Sequence, residues 1–322
     1  MATTKTTASS KKKRETISIV VPCYNEEDVI DLCHKEITKI VDPLPYDIEI
    51  LYINDGSKDS TLEKLQKLSK KDKRVVVVNL SRNFGKEAAM TAGIDNVTCD
   101  ALIILDADLQ DPPALIPDLI KIWKDTDADV VYGQRTRREG ETWLKKISAK
   151  GFYKVINFIA NRVEIPQNTG DFRLMNKRAI EALQQLREHH RFMKGLFAWI
   201  GYKQVALPYS RAPRAAGQTK WNYVGLWNLA MEGIAGFSTV PLKVASFFGL
   251  LISFLSFMFG MFIIIRTMIG EVDVPGYASL TVMISFLSGL QLLSIGILGE
   301  YVGRIFGESK KRPLYFIEHI YK

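Results

Sequence analysis

Asp106-Ala107-Asp108 closes the apolar run Ala101-Leu102-Ile103-Ile104-Leu105. Two carboxylates one residue apart at the end of a buried strand make a seat for a hard divalent cation. Mg²⁺ or Mn²⁺ prefers oxygen ligands and keeps open positions for substrate phosphates. In an open α/β sheet, ligands bind beyond the carboxyl ends of the strands, so position and chemistry agree.

Three further polar clusters follow apolar runs in the same way. They are Pro22-Cys23-Tyr24-Asn25-Glu26, Asn54-Asp55-Gly56-Ser57 and Ser81-Arg82-Asn83-Phe84-Gly85-Lys86. Singly, each is an ordinary turn or helix cap. Four on one rim of one sheet define a site.

The elements that must position them are legible in the hydrophobic pattern. Strands are expected at 17–21, 48–53, 74–79, 101–105 and 129–132, alternating with helices at 26–41, 60–69, 86–96 and 113–124. The strands are almost continuously apolar, as when helices cover both faces. The alternation predicts a doubly wound, mostly parallel α/β sheet. No G-x-G-x-x-G follows the first strand and no G-x-x-x-x-G-K-[ST] occurs, which disfavours a dinucleotide fold and a P-loop nucleotidase.

Two runs near the C-terminal end, 244–265 and 274–299, contain no charged residue. Each exceeds the roughly 20 residues needed to cross a bilayer. Basic residues flank the pair and the short connection is acidic, so the positive-inside rule puts both termini in the cytoplasm of an integral plasma- or inner-membrane protein. The expected organisation is a basic disordered tail (1–15), a cytosolic catalytic domain (16–220), a juxtamembrane amphipathic helix (221–240), a transmembrane hairpin (241–303) and a cytosolic C-terminal tail (304–322). A second aromatic and basic amphipathic stretch, 144–163, suits the membrane interface. Gly249, Gly260, Gly289, Gly296 and Gly299 permit close helix packing and a homo-oligomer.

Half of the formal net charge of +8 lies in the N-terminal tail, which has no apolar h-region and is not read as a signal peptide. No nucleic-acid module accompanies the charge, so no nucleic-acid partner is expected. Cys23, Cys33 and Cys99 show neither a disulfide framework nor zinc-ligand spacing.

The ordered set Val21-Pro22-Cys23-Tyr24-Asn25-Glu26, Asn54-Asp55-Gly56-Ser57 and Asp106-Ala107-Asp108 resembles the family 2 glycosyltransferases of GT-A (nucleotide-diphospho-sugar transferase) fold. The longer string from Asp106 to Pro113 (DADLQDPP) is similar to polyprenyl-phosphate hexose synthases, which include dolichol-phosphate mannose synthase and bactoprenol glucosyltransferase. Thr169-Gly170-Asp171-Phe172-Arg173-Leu174-Met175 and the two C-terminal spans point to the bactoprenol branch.

The resemblance implies transfer of a hexose, glucose first among them, from UDP-glucose to a polyprenyl (undecaprenyl or dolichyl) phosphate. Asp106 and Asp108 would hold Mg²⁺ or Mn²⁺ on the donor diphosphate, with Gln110 in support. Pro22, Tyr24 and Glu26 would shape the nucleoside pocket, Asp55 would bond uracil or ribose, and Lys86 would touch donor phosphate or uracil. Asp171 would be a base or a sugar-orienting carboxylate. Arg135, Arg137, Arg138, Arg211, Arg214 and Lys220 would meet the acceptor phosphate, since guanidinium groups bind phosphate oxygens bidentately. The run from Arg211 to Trp221 fits R-x-x-R-x-x-G-x-[ST]-K-[YW], departing from many members only in Ala215, where a bulky aromatic is common. Mannose or aminoarabinose-type transfer, a processive polysaccharide synthase and a non-catalytic nucleotide-sugar-binding module are the alternatives. The processive synthase lacks its Q-x-x-R-W motif here.

Overall fold

The computed structural model describes residues 14–137, 165–210, 238–269 and 276–322. The stretch 144–163, nearly all of 221–240, and Arg138, Arg211, Arg214, Ala215 and Lys220 lie outside the described residues.

The N-terminal half alternates as the pattern predicts: β1 (Thr16–Cys23), α1 (Ile30–Val41), β2 (Asp47–Asn54), α2 (Thr61–Lys71), β3 (Val75–Leu80), α3 (Lys86–Asp95) and β4 (Ala101–Ile104). A short 3-10 turn (Pro113–Leu115) leads into α4 (Ile116–Thr126) and then β5 (Val130–Arg137). After these come β6 (Thr169–Asn176), α5 (Lys177–Gln185), α6 (Met193–Trp199), β7 (Gln204–Ser210), α7 (Val240–Met268), α8 (Tyr277–Ser309) and β8 (Ile317–Tyr321). The described strands form one eight-stranded sheet ordered β7-β5-β6-β4-β1-β2-β3-β8. β1 pairs in parallel with both β2 and β4, as do β2 with β3 and β5 with β7. β6 and β8 run antiparallel to their neighbours, so the sheet is mixed at its centre-right and at its β8 edge.

Helical spacing decides which faces meet the sheet. α1 buries Ile30, Cys33, Ile37 and Val41, each three or four residues from the last, against one side. Complete burial of an Ile or Val side chain stabilises by about 1.5–3 kcal/mol. The first helix begins at Ile30 rather than at Glu26, because the intervening N–H groups are used elsewhere: Glu26 donates to Thr61 Oγ1 at 2.8 Å and Glu27 to Asp59 at 3.2 Å. That stitching ties the loop after β1 to the loop after β2. On the opposite side, α3 is covered nearly all round, with Ala88 through Ile94 buried. Its small residues bring its backbone close to β1. A Cβ added at Gly93 would lie 2.3 Å from Val20 Cγ1.

The two apolar runs form long helices, α7 and α8. Val240–Phe262 and Phe286–Ser309 are long and apolar enough to cross a membrane, and none of either window is buried. Phe247 is 63% and Leu250 73% exposed, on helices whose apolar side chains face outward. Water tolerates so large an apolar surface poorly, whereas lipid matches it. α8 continues past the charge-free run to Ser309. Arg304 Nε bonds Glu300 Oε1 at 2.9 Å along this extension.

The chain beyond α8 is not a free tail. β8 pairs antiparallel with β3, placing Tyr321 opposite Val77 and Ile320 opposite Val78. Asn79 Nδ2 donates to Glu318 at 2.6 Å, Tyr315 donates to Asp95 at 2.9 Å, and Ser81 N–H donates to the Phe316 carbonyl at 3.0 Å. Glu308, at the end of α8, accepts the His189 N–H at 2.7 Å. Ile317-Glu318-His319-Ile320-Tyr321 shows no strict apolar–polar alternation, so the sequence pattern gives no strand signal here.

The Gly93 contact gives a direct test. Gly93→Val lowers the melting temperature of the detergent-solubilised protein by several degrees, as overpacking of about 1–3 kcal/mol requires. Adding Val20→Ala recovers part of the loss. Additive effects of the two substitutions would show that the α3–β1 approach does not limit packing.

Candidate active site

The parallel strands end on one rim, and β6 begins there. Lys86, the first residue of α3, extends its stem along the surface while its ammonium lies between two carboxylates. Nζ is 2.7 Å from Asp106 Oδ1 and 2.7 Å from Asp171 Oδ2. Asp106 follows β4 and Asp171 sits on β6, next to β4 in the sheet. Residues 86, 106 and 171 thus meet because a parallel strand, an antiparallel strand and a helix start share one rim.

The charges explain each other. Burial alone would lower the Lys86 ammonium, but Asp106 and Asp171 outweigh it and hold it well above the ordinary lysine range. Burial would raise Asp171, and Lys86, Lys194 and Arg173 outweigh that, holding its carboxyl well below the usual range. Asp171 is therefore an ionised acceptor. Beside it, Arg173 is 3% exposed, donates to the Gly170 carbonyl at 2.9 Å and stacks on Phe197 at 3.5 Å. Burial lowers Arg173 to about 10, which leaves it charged at neutral pH. Glu87 is pushed up to about 8 by burial and by Asp171, and accepts the Met193 N–H at 3.1 Å.

Asp55, expected at the nucleoside, is 2% exposed. Its two oxygens accept the N–H groups of Phe84 at 2.7 Å and Gly85 at 3.0 Å. It braces the loop that delivers Lys86. Gly56 lies under the same loop at φ +62°, and a Cβ there would be 2.4 Å from the Arg82 carbonyl carbon, so only glycine fits. Pro22, Tyr24 and Glu26 stand half-buried on the neighbouring strand end. Asn25 fixes that loop by accepting the Lys58 N–H at 2.8 Å.

The loop after β4 carries the metal candidates. Asp108 Oδ1 accepts the Gln110 N–H at 3.1 Å, and Leu109 between them has φ +58°. A non-glycine residue held left-handed costs free energy and persists only where its surroundings enforce it. Leu109 packs on the core, and two residues on, Asp111 is fully buried. Tyr209 of β7 donates its hydroxyl to Asp111, and Arg135 of β5 places Nη2 at 3.3 Å. Arg135 also donates to the Tyr209 oxygen at 3.2 Å. Arg135, expected at the acceptor phosphate, is thus engaged in anchoring the Asp106–Asp111 loop to β5 and β7. Arg137 ends β5. Spacing alone did not reveal Asp111, Tyr209 or Glu87 as parts of the site, because what singles them out is burial and partners from distant strands.

Asp106 and Asp108 fit a hard divalent cation by chemistry. Both supply oxygen, and among the described residues no group of three or more His, Cys, Asp or Glu could enclose a metal. Two carboxylates hold such an ion while leaving positions for phosphate oxygens, the usual arrangement for Mg²⁺ at phosphate-handling sites. The Lys86 ammonium on Asp106 shows that this carboxylate sits where positive charge is stabilised.

Residues 18–184 match the model of glycosyl transferase family 2. An uncharacterised glycosyltransferase of Synechocystis sp. is 50% identical, the match covering 95% of each chain. A prophage bactoprenol glucosyl transferase homologue of Escherichia coli is 45% identical over 95% of this chain and 99% of that protein. The bactoprenol glucosyl transferase of Shigella phage SfV is 46% identical over 94% of this chain and 98% of that protein. With its GT-A sheet, its rim of carboxylates and relatives aligned from end to end, this chain is a glycosyltransferase and belongs to glycosyl transferase family 2.

Proposed function

We propose that the protein is a membrane-bound inverting glycosyltransferase that moves glucose from UDP-glucose to polyprenyl phosphate, releasing UDP. The observation that carries the reading is the Asp106–Lys86–Asp171 bridge on the strand-end rim of a domain joined to two apolar helices. Relatives named bactoprenol glucosyl transferase, similar over nearly the whole chain, support glucose as the sugar and an isoprenoid as the lipid.

In this reading, Pro22, Tyr24 and Glu26 line the nucleoside side of the donor pocket, with Asp55 bracing the loop above it. A divalent cation, Mg²⁺ or Mn²⁺, held by Asp106 and Asp108 beside Gln110, would offset charge on the departing diphosphate. Lys86 supplies a fixed positive charge between that diphosphate and the sugar. Asp171, kept ionised, accepts hydrogen bonds from sugar hydroxyls and orients the anomeric carbon. The acceptor needs little base catalysis, because a phosphate monoester with a second pKa of about 6 is mostly a dianion near neutrality. Its oxygen attacks the anomeric carbon, the carbon–oxygen bond to UDP breaks with its electron pair leaving on UDP, and configuration inverts. Positioning then supplies most of the rate.

Arg137, Arg138, Arg211, Arg214 and Lys220 would meet the acceptor phosphate, and Arg135 anchors the loop after β4 through Asp111. The two apolar helices would hold this rim against the cytoplasmic membrane face, with both termini in the cytoplasm.

Radiolabel from UDP-glucose should enter an organic-extractable lipid, dependent on Mg²⁺ or Mn²⁺ and on added polyprenyl phosphate. A donor panel of UDP-glucose, GDP-mannose and UDP-aminoarabinose should rank glucose first. Label recovered only as polymer, or donor binding without turnover, would overturn the reading. In the same assay Asp108→Ala should lower transfer by about a hundredfold or more, with folding retained.

A second test uses the bridge. Lys86→Met removes the largest cationic influence on Asp171, so its folded pKa rises toward that of an ordinary carboxyl. Activity requiring ionised Asp171 is lost as pH falls through that pKa, and the acid limb of the kcat profile should therefore move to higher pH, with kcat lowered about tenfold or more. An unmoved acid limb would remove Asp171 from this role.

A further inference from the structure

On the opposite flank of the rim, between α3 and the chain leaving α8, lies a pocket of about 600 Å³. That volume is typical of small-ligand sites. Its polar wall carries Arg82, Lys86, His190, Arg191 and Arg312, and the first turn of α3 opens into it. N–H groups of a first helical turn have no intrahelical acceptor and favour anions.

The cations are not equivalent. Lys86 is committed to Asp106 and Asp171, and His189 at the pocket edge faces Glu308 at 3.2 Å. Glu87 lines the pocket too, with one oxygen accepting the Met193 N–H. Arg82 lies over Phe84 at 4.0 Å and donates to the Asn83 carbonyl at 2.9 Å, and neither it nor Arg312 pairs with a carboxylate among the described residues. Arg191 is 5% exposed; its Nη1 donates to the Leu186 carbonyl at 2.7 Å, whereas its Nε is buried with no hydrogen-bond partner among the described residues. A buried guanidinium N–H left unpaired is costly, and it lies in a wall already rich in positive charge.

The remaining wall is apolar and comes from the chain between α8 and β8. Pro313, Leu314 and Phe316 line it, and a Cβ at Gly307 of α8 would be 3.6 Å from His190 Nε2. An anion entering here therefore meets hydrocarbon on one side and guanidinium groups on the other. It also meets the stem of Lys86, whose ammonium already touches Asp106 and Asp171.

We propose that this pocket takes the phosphate head of the isoprenoid acceptor as the lipid arrives along α8, with Arg82 and Arg312 as its principal partners; the assignment rests on the lipid-phosphate reading above. A landing site acts on capture rather than on chemistry. The full-length protein in phosphatidylcholine vesicles, with polyprenyl phosphate titrated against radiolabelled UDP-glucose, separates the two. The double variant Arg82→Gln/Arg312→Gln should raise the acceptor KM about tenfold, while kcat and the UDP-glucose KM stay within twofold. Lysine at both positions should recover at least half of the loss, which a merely structural role would not predict. An unchanged acceptor KM, or an equal rise in the UDP-glucose KM, would overturn the proposal. An effect seen only when phosphatidylglycerol is added would also overturn it, by assigning the pocket to a phospholipid headgroup. Wild-type protein that forms no labelled lipid would instead refute the reaction itself, and the pocket's assignment with it.

Discussion

Three carboxylates crowd one rim of this sheet, and the Lys86 ammonium is what makes that tolerable. Asp106 follows β4 and Asp171 sits on the adjacent β6, and like charges so placed repel one another. One ammonium 2.7 Å from each bridges them and holds the Asp171 carboxyl well below the usual range. That contact requires α3 to begin at a fixed point, which in turn requires the loop before it to be held. Asp55 holds it through the Phe84 and Gly85 N–H groups, and Gly56 lets the underlying turn approach closely. The close approach of α3 to β1 at Gly93 sets the helix's height above the sheet.

The other half of the site is fixed by a different buried pair. Asp111, with no exposure, ties the Asp106–Asp111 loop to β5 and β7 through Arg135 and Tyr209. Removing Arg135 would leave the buried Asp111 without its cationic partner, which is strongly destabilising. Leu109 keeps its left-handed conformation between this anchor and Asp108. The loop carrying Asp106 and Asp108 is therefore strained at Leu109 and clamped at Asp111.

The two long apolar helices join the sheet at two points. α7 leads in after β7, and beyond α8 the chain returns as β8 on the free edge of β3. An exposed strand edge is a liability that proteins cover, and here the covering strand also fixes where the second apolar helix leaves the domain. Glu308 on His189 and Tyr315 on Asp95 reinforce the junction. The rim and the apolar helix α8 are thus held as neighbours, as the proposed lipid-borne acceptor requires.

Much of this was legible in the residues alone. Apolar runs ending in Asp106-Ala107-Asp108 and Asn54-Asp55-Gly56 located the strand ends, because burial on both faces leaves a continuous apolar signature. The two charge-free runs declared the helices, because hydrocarbon admits no exposed charge over that length. What local pattern could not carry was partnership across the sheet. Whether Asp55 faces a nucleoside or a loop, and whether Arg135 faces a phosphate or Asp111, depends on which backbone groups arrive from elsewhere. Likewise the residues of β8 do not alternate as a strand should, and only the open edge of β3 made them one. The sequence by itself determined which chemistry the rim could hold and that the chain carries two helices long and apolar enough to cross a membrane. Only the tertiary structure decided which charges meet, since Coulomb and hydrogen-bond energies act over a few ångströms in space, not along the chain.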